Sequence, residues 1–221
     1  MCTVTFIKTN KGAIITSNRD EKIVRAKALA PQEYLINNIR VTFPKDPQAG
    51  GTWIAQTNNT CVVLLNGAEE KHISAPPYRK SRGQIVLDLI SRDILIDWQL
   101  INLENIEPFT LIVYQNDKLF QFRWNGNVKK NIELDPNKAY IWSSSTLYSK
   151  EIKTKREEWF TAFLNKNPQP TPNQLIDFHS FTESSNIENG LQINRNNIYK
   201  TVSITQIEKN NCTTMNYIDL H

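Results

Sequence analysis

Cysteine is scarce in this 221-residue chain: Cys2, Cys61 and Cys212 are the only three. An odd number scattered over the sequence excludes a disulfide framework and points to a reducing compartment, the cytoplasm. Long hydrophobic runs are missing as well. The start turns polar by Lys8-Thr9-Asn10-Lys11, which excludes a signal-peptide core, and no run approaches the roughly eighteen residues that a membrane span needs. Neither sign of charge dominates, with 26 Lys and Arg against 22 Asp and Glu. The two signs interleave, as in the stretch from Lys150 to Glu158, which reads as a solvated helix face, so a nucleic-acid partner is not expected. His72, His179 and His221 have no ligand spacing, so no metal is expected. No glycine-rich phosphate loop occurs, and Ser143-Ser144-Ser145 lacks the G-x-S-x-G surround of a serine hydrolase.

What remains is the balance of an ordinary globular protein, 39% hydrophobic and 22% charged, with one domain expected over residues 1–221. Cys2 to Ile7 alternates with β-branched residues, Asn10-Lys11-Gly12 signals a turn, and Ala13 to Thr16 resumes as a strand before the polar Ser17-Asn18-Arg19-Asp20-Glu21. Paired residue numbers in an antiparallel hairpin sum to a constant, which puts the partner of Cys2 between Arg19 and Glu21. Further strands are expected at Thr52 to Gln56, Cys61 to Asn66, Thr110 to Gln115, Lys118 to Trp124 and Ala139 to Ser143. Helical periodicity predicts helices over Gly83 to Ser91, Tyr148 to Asn165 and Pro172 to Ser180, the last with Thr171 as N-cap. Glu183 to Asn197 reads as a long loop, and a closing hairpin is expected around Lys209-Asn210-Asn211. The five tryptophans, Trp53, Trp98, Trp124, Trp142 and Trp159, read mainly as core. This order suits an α+β fold of mainly antiparallel sheet.

Small second residues permit removal of the initiator methionine, after which Cys2 carries both a thiol and an α-amine. That amine has an ordinary pKa of ~7.7–8.0, so it can take the thiol proton near neutral pH. By position alone Cys2 also reads as a small buried hydrophobe opening a strand. Arg19 and Asp20, brought opposite by the register, offer a guanidinium for a thiolate or an acidic group and a carboxylate for the α-amine; as a lone pair they also read as a surface ion pair. Gly50-Gly51-Thr52-Trp53 is a flexible turn into a strand, and Leu65-Asn66-Gly67 ends the next one. Asn66 reads as a turn residue or as a group aimed at an oxyanion.

The set Met-Cys-Thr-Val-Thr-Phe at the start, Asn18-Arg19-Asp20-Glu21, Ala49-Gly50-Gly51-Thr52-Trp53, Leu65-Asn66-Gly67 and Ser81-Arg82-Gly83 resembles the NRDE family, which includes homologues of transport and Golgi organisation protein two. The resemblance is specific through residue 83 and implies a branch of the N-terminal-nucleophile hydrolases, similar to choloylglycine hydrolases and penicillin V acylase. It implies a four-layer αββα sandwich that cleaves linear C–N amide bonds of a small-molecule amide or acyl substrate, with no cofactor. By the same resemblance Cys2 is the nucleophile, Arg19 and Asp20 orient thiolate and α-amine, Asn66 lies by the oxyanion, and Asn18, Trp53 and Gly67 line the substrate. Two positions depart from the pattern. Ser144 stands where the acylase relatives place an oxyanion-donating Asn, and Tyr199-Lys200-Thr201-Val202 lacks the arginine of the family's Tyr-Gly-Thr-Arg. Losing one oxyanion donor costs ~10²–10³ in turnover, so a non-catalytic binding or trafficking protein on the same fold is the alternative.

Overall fold

A computed structural model describes residues 2–210 and 212–221, so Met1 and Asn211 of the expected closing turn lie outside it. The chain forms two compact units, residues 1–25 with 137–221, and residues 26–136. Between them they hold the two antiparallel sheets and four helices of the expected α+β class.

In the first unit β1 (Cys2–Thr9) and β2 (Gly12–Lys22) form the expected hairpin. β2 is longer than the apolar pattern predicts. It runs on through Ser17-Asn18-Arg19-Asp20, all buried, because the side chains of Asn18, Arg19 and Asp20 find partners inside the unit.

The second unit is an antiparallel meander of β3 (Leu29–Ile36), β4 (Ile39–Lys45), β5 (Ile54–Gln56), β6 (Thr60–Asn66), β7 (Phe109–Gln115), β8 (Lys118–Trp124) and β9 (Lys129–Leu134). Helices α1 (Arg82–Ile90) and α2 (Ile94–Leu100) lie over one face of it. They bury Ile85, Val86, Leu89 and Trp98 against Val62, Leu64, Leu111, Val113 and Phe122. The sequence pattern missed β3, β4, β9 and α2. β3 and β9 are largely exposed strands, β4 carries only the short alternation Ile39, Val41, Phe43 before Pro44, and α2 is two turns long.

The first unit is completed by β10 (Tyr140–Ser143), α3 (Lys150–Lys166), α4 (Pro172–Phe181), β11 (Asn194–Arg195), β12 (Tyr199–Lys209) and β13 (Thr213–Asp219). Its sheet runs β10-β1-β2-β12-β11, with β13 also paired to β12. The expected loop from Glu183 to Asn197 thus contains a short strand. Thr171 caps α4 through a reciprocal bond with Gln174, and Pro172 takes the first helical position. α3 and α4 cover one face of the sheet, where Phe160, Leu175 and Phe178 pack on Ile7 and Ile14. The solvated face expected for Lys150 to Glu158 needs one correction. Arg156 lies four residues from both Ile152 and Phe160, on the inward stripe, and is completely buried.

Candidate active site

Cys2 opens β1 and pairs with Arg19, inside the expected window. On the other side of β2, Ser203 pairs with Arg19 and Thr205 with Ser17, while Val202 falls in a β-bulge between Thr201 and Ser203. Cross-strand partners share a face, so two rows lie side by side on the face away from the helices: Cys2, Arg19, Ser203, and Val4, Ser17, Thr205. Cys2 is 1% exposed and Arg19 3%. The Arg19 guanidinium is 3.7 Å from Glu21, whose carboxylate also lies 3.7 Å from Arg25. Burial pushes the Cys2 thiol up and the Asp20 carboxylate adds to this, against Arg19 and the nearby Ser17 hydroxyl, which pull it down. The resting sulfur is therefore a thiol, and a base must remove its proton before it can attack.

Asp20 pairs with Thr201 across the sheet and takes part in a closed network. Its carboxylate accepts from the Tyr148 hydroxyl at 2.6 Å and from the Thr201 hydroxyl at 2.7 Å. Thr201 in turn accepts from the Ile193 N–H at 2.9 Å. The Arg156 guanidinium stacks 3.6 Å from the Tyr148 ring centre. It donates to the hydroxyls of Thr3 and Ser143 and to the carbonyls of Asn189 and Gly190. Burial raises the Asp20 pKa, opposed by Arg156, Tyr148 and Thr201. The same network pushes the Tyr148 phenol up, burial first and the Asp20 charge next. Thr3 and Ser143 flank Cys2 and Ser144, so Arg156 fixes the backbone on which the thiol sits.

Asn18 is committed within the unit. Its N–H groups donate to the carbonyls of His179 and Leu191 at 3.0 and 2.7 Å, and its oxygen lies 2.8 Å from His179 Nδ1. With both amide hydrogens used, Asn18 Oδ1 must accept, so His179 carries its proton on Nδ1, and Nε2 accepts from the Thr5 hydroxyl at 2.8 Å. Burial holds the His179 pKa down at about 3, which keeps the ring neutral. Ser144 is beside Cys2: its N–H donates to the Cys2 carbonyl at 3.0 Å, and its hydroxyl bonds Thr146 at 2.8 Å.

Asn66, Gly67 and Trp53 belong to the second unit. Asn66 ends β6, half-buried, and Gly67 turns the chain at φ +85° while its N–H donates to the Pro108 carbonyl at 2.9 Å. Trp53 is buried just before β5. Gly51 is where α1 crosses the turn, because a Cβ there would lie 2.3 Å from the Gly83 carbonyl carbon. Ser81 caps α1 through a reciprocal bond with Gln84, so the Gly-Gly and Ser-Arg-Gly segments form one backbone crossing. Any role of Asn66, Trp53 and Gly67 in chemistry rests on the family resemblance.

The structure thus brings Cys2, Arg19, Asp20 and Ser144 to one end of the first sheet, with Asn18 holding that sheet to α4. Sequence reasoning missed Tyr148, Arg156, His179 and Thr201. Of these Arg156 had a signal, a charged residue at an inward helical position.

A family model described as Transport and Golgi organisation 2 matches residues 1–218. By sequence, no match among curated proteins was found. Among solved structures, a variant of the conjugated bile acid hydrolase from Clostridium perfringens is similar, with a TM-score of 0.53 and 10% identity over 100% of this chain and 92% of that one. Penicillin V acylase from Agrobacterium tumefaciens has a TM-score of 0.54 and 10% identity over 100% and 86%. At such identity the likeness establishes the fold, that of the N-terminal-nucleophile hydrolases.

Proposed function

This chain belongs to the Transport and Golgi organisation 2 family, and from that premise we propose that it is a cysteine N-terminal-nucleophile hydrolase cleaving a linear amide bond of a small acyl substrate after Met1 is removed. The observation that carries the reading is the placement of Cys2 at the start of a central strand, paired with Arg19 and with Asp20 next along. The neutral α-amine of Cys2 takes the thiol proton and becomes ammonium. The thiolate adds to the amide carbon, and the carbonyl electron pair moves to oxygen. Collapse of this oxyanion breaks the C–N bond, the ammonium gives its proton to the departing amine, and a thioester remains. Water then adds with the amine again as base, releasing the carboxylic acid and restoring the thiol. Arg19 stabilises the thiolate, and Asp20 balances the ammonium. No cofactor enters these steps. We place the protein in the cytoplasm, in keeping with three cysteines outside any disulfide.

A second reading, a binding or trafficking protein on the same fold, is favoured by the closed Cys2 face and by Ser144, whose N–H is engaged with the Cys2 carbonyl rather than open to an oxyanion. Intact mass, with and without brief limiting iodoacetamide at neutral pH, separates the two. The hydrolase reading expects Met1 to be absent and the label to reach Cys2 far faster than the equally buried Cys61. Retained Met1 with an inert Cys2 transfers the assignment to the binder.

A further inference from the structure

Ser17, Ser203 and Thr205 sit in the two rows beside Cys2, completely buried, and none of their hydroxyl oxygens has a hydrogen bond among the described residues. The Ser17 hydroxyl is near enough to influence the thiol, but without the geometry of a hydrogen bond. Buried hydroxyls are normally satisfied, and three orphans on neighbouring positions of two strands are not scattered packing faults. The register sets the Cβ atoms of Ser17 and Thr205 roughly 4.5–5.5 Å apart in one row and puts Ser203 on the diagonal, roughly 7–8 Å from Ser17, so that one polar group lying over both rows is within reach of all three. All three oxygens are shielded from bulk solvent. The nearest charge, Arg19, is already balanced by Glu21, so the unmet capacity is neutral. The third row, Phe6, Ile15 and Ile207, is apolar and bounds the polar patch on the side away from Cys2.

We propose that Ser17, Ser203 and Thr205 form a subsite that reads a neutral hydrogen-bonding group, a hydroxyl or carboxamide, on the substrate when the Cys2 face opens. This rests on the hydrolase reading and adds to it the substrate's chemistry: an amide with an uncharged polar group near the scissile bond. Each hydroxyl can donate or accept, so the subsite tolerates either polarity of partner. A ligand that bonds them recovers what their desolvation has cost, whereas an apolar ligand recovers nothing.

The test uses three alkylating probes on the full chain: iodoacetamide, iodoacetate and 1-iodopropane. Each rate at Cys2 is divided by the rate at exposed Cys212 in the same sample. The expected result is a preference for iodoacetamide of about tenfold per hydrogen bond gained, lost in the Ser203→Ala/Thr205→Val double variant. Preference for iodoacetate overturns the neutral assignment in favour of an anion site at Arg19. A neutral preference that survives the double variant overturns the subsite while leaving the nucleophile in place. A wild-type Cys2 inert to all three probes sinks the hydrolase reading and the subsite with it. The urea midpoint of the double variant gives an independent decision. Orphaned hydroxyls are removed without loss, so it holds or rises, and a clear fall means that they are structural.

Discussion

Arg156 is a guanidinium in full burial with no carboxylate within ion-pair distance among the described residues; it is held by oxygens of Thr3, Ser143, Asn189 and Gly190 and by the Tyr148 ring. Such a charge is tolerated because every N–H has a partner and because Asp20, on the far side of the Tyr148 hydroxyl, supplies the opposite sign. Removing the cation leaves the buried Asp20 charge uncompensated, whereas removing only the Tyr148 hydroxyl leaves the ring stack and one donor, Thr201. The two variants are therefore expected to differ in size. Arg156→Ala lowers stability by about 3 kcal/mol or more, and Tyr148→Phe by about 1–3 kcal/mol, read as urea midpoints at pH 7. Equal losses would mean that the network carries no charge coupling and that Arg156 acts by packing alone.

The clip between β2 and α4 brings pH into the stability of the fold. His179 is held at about 3, far below its ordinary value of ~6.5, by burial and then by Arg156. The sign follows from the neutral form being the folded one. Its contribution is complete above ~6.5 and is lost as pH falls toward 3, by at most about 1.4 kcal/mol per unit. Asp20 works in the opposite sense, since a raised carboxyl pKa lets the folded state hold a proton that the unfolded chain has released. Comparing wild type with His179→Gln isolates the histidine: the wild-type urea midpoint falls more steeply below pH 6.5, and parallel curves rule the clip out as a titrating element. These same partners explain what the sequence could show. The β1–β2 hairpin was legible because its alternation and its Asn10-Lys11-Gly12 turn are local. The continuation through Ser17 to Glu21 was not, because a polar stretch becomes a buried strand only through His179, Tyr148 and Thr201, which arrive from distant sequence. Cys2 and Arg19 could be paired by counting; Arg156 was hidden among exposed charges, and its helical spacing was its one local mark.

Across the whole molecule, the first unit is built from both ends of the chain, and the second is a continuous insertion between them. Chain starts ordinarily fray unless tied down, yet here β1 lies between β10 and β2, with the Cys2 carbonyl held by the Ser144 N–H. The position of Cys2 is thus secured by pairing that begins at residue 2, independent of what precedes it. The proposed chemistry, in contrast, depends on what precedes it, because the base is the amine of Cys2 itself. Inserting one alanine between Met1 and Cys2 separates the two dependences. The β1–β2 register, circular dichroism and melting temperature are expected to stay as in wild type, while Cys2 becomes an internal residue without an α-amine. Its alkylation near neutral pH then falls by about 10²-fold or more, the usual worth of a positioned general base, and loses its dependence on an amine titrating at ~7.7–8.0. Peptide-mapped rates against pH provide the check, with Cys212 as the internal standard. If the inserted variant alkylates Cys2 as fast as wild type does, the amine is not the base, and the thiol's reactivity must come from Arg19 and the sheet alone.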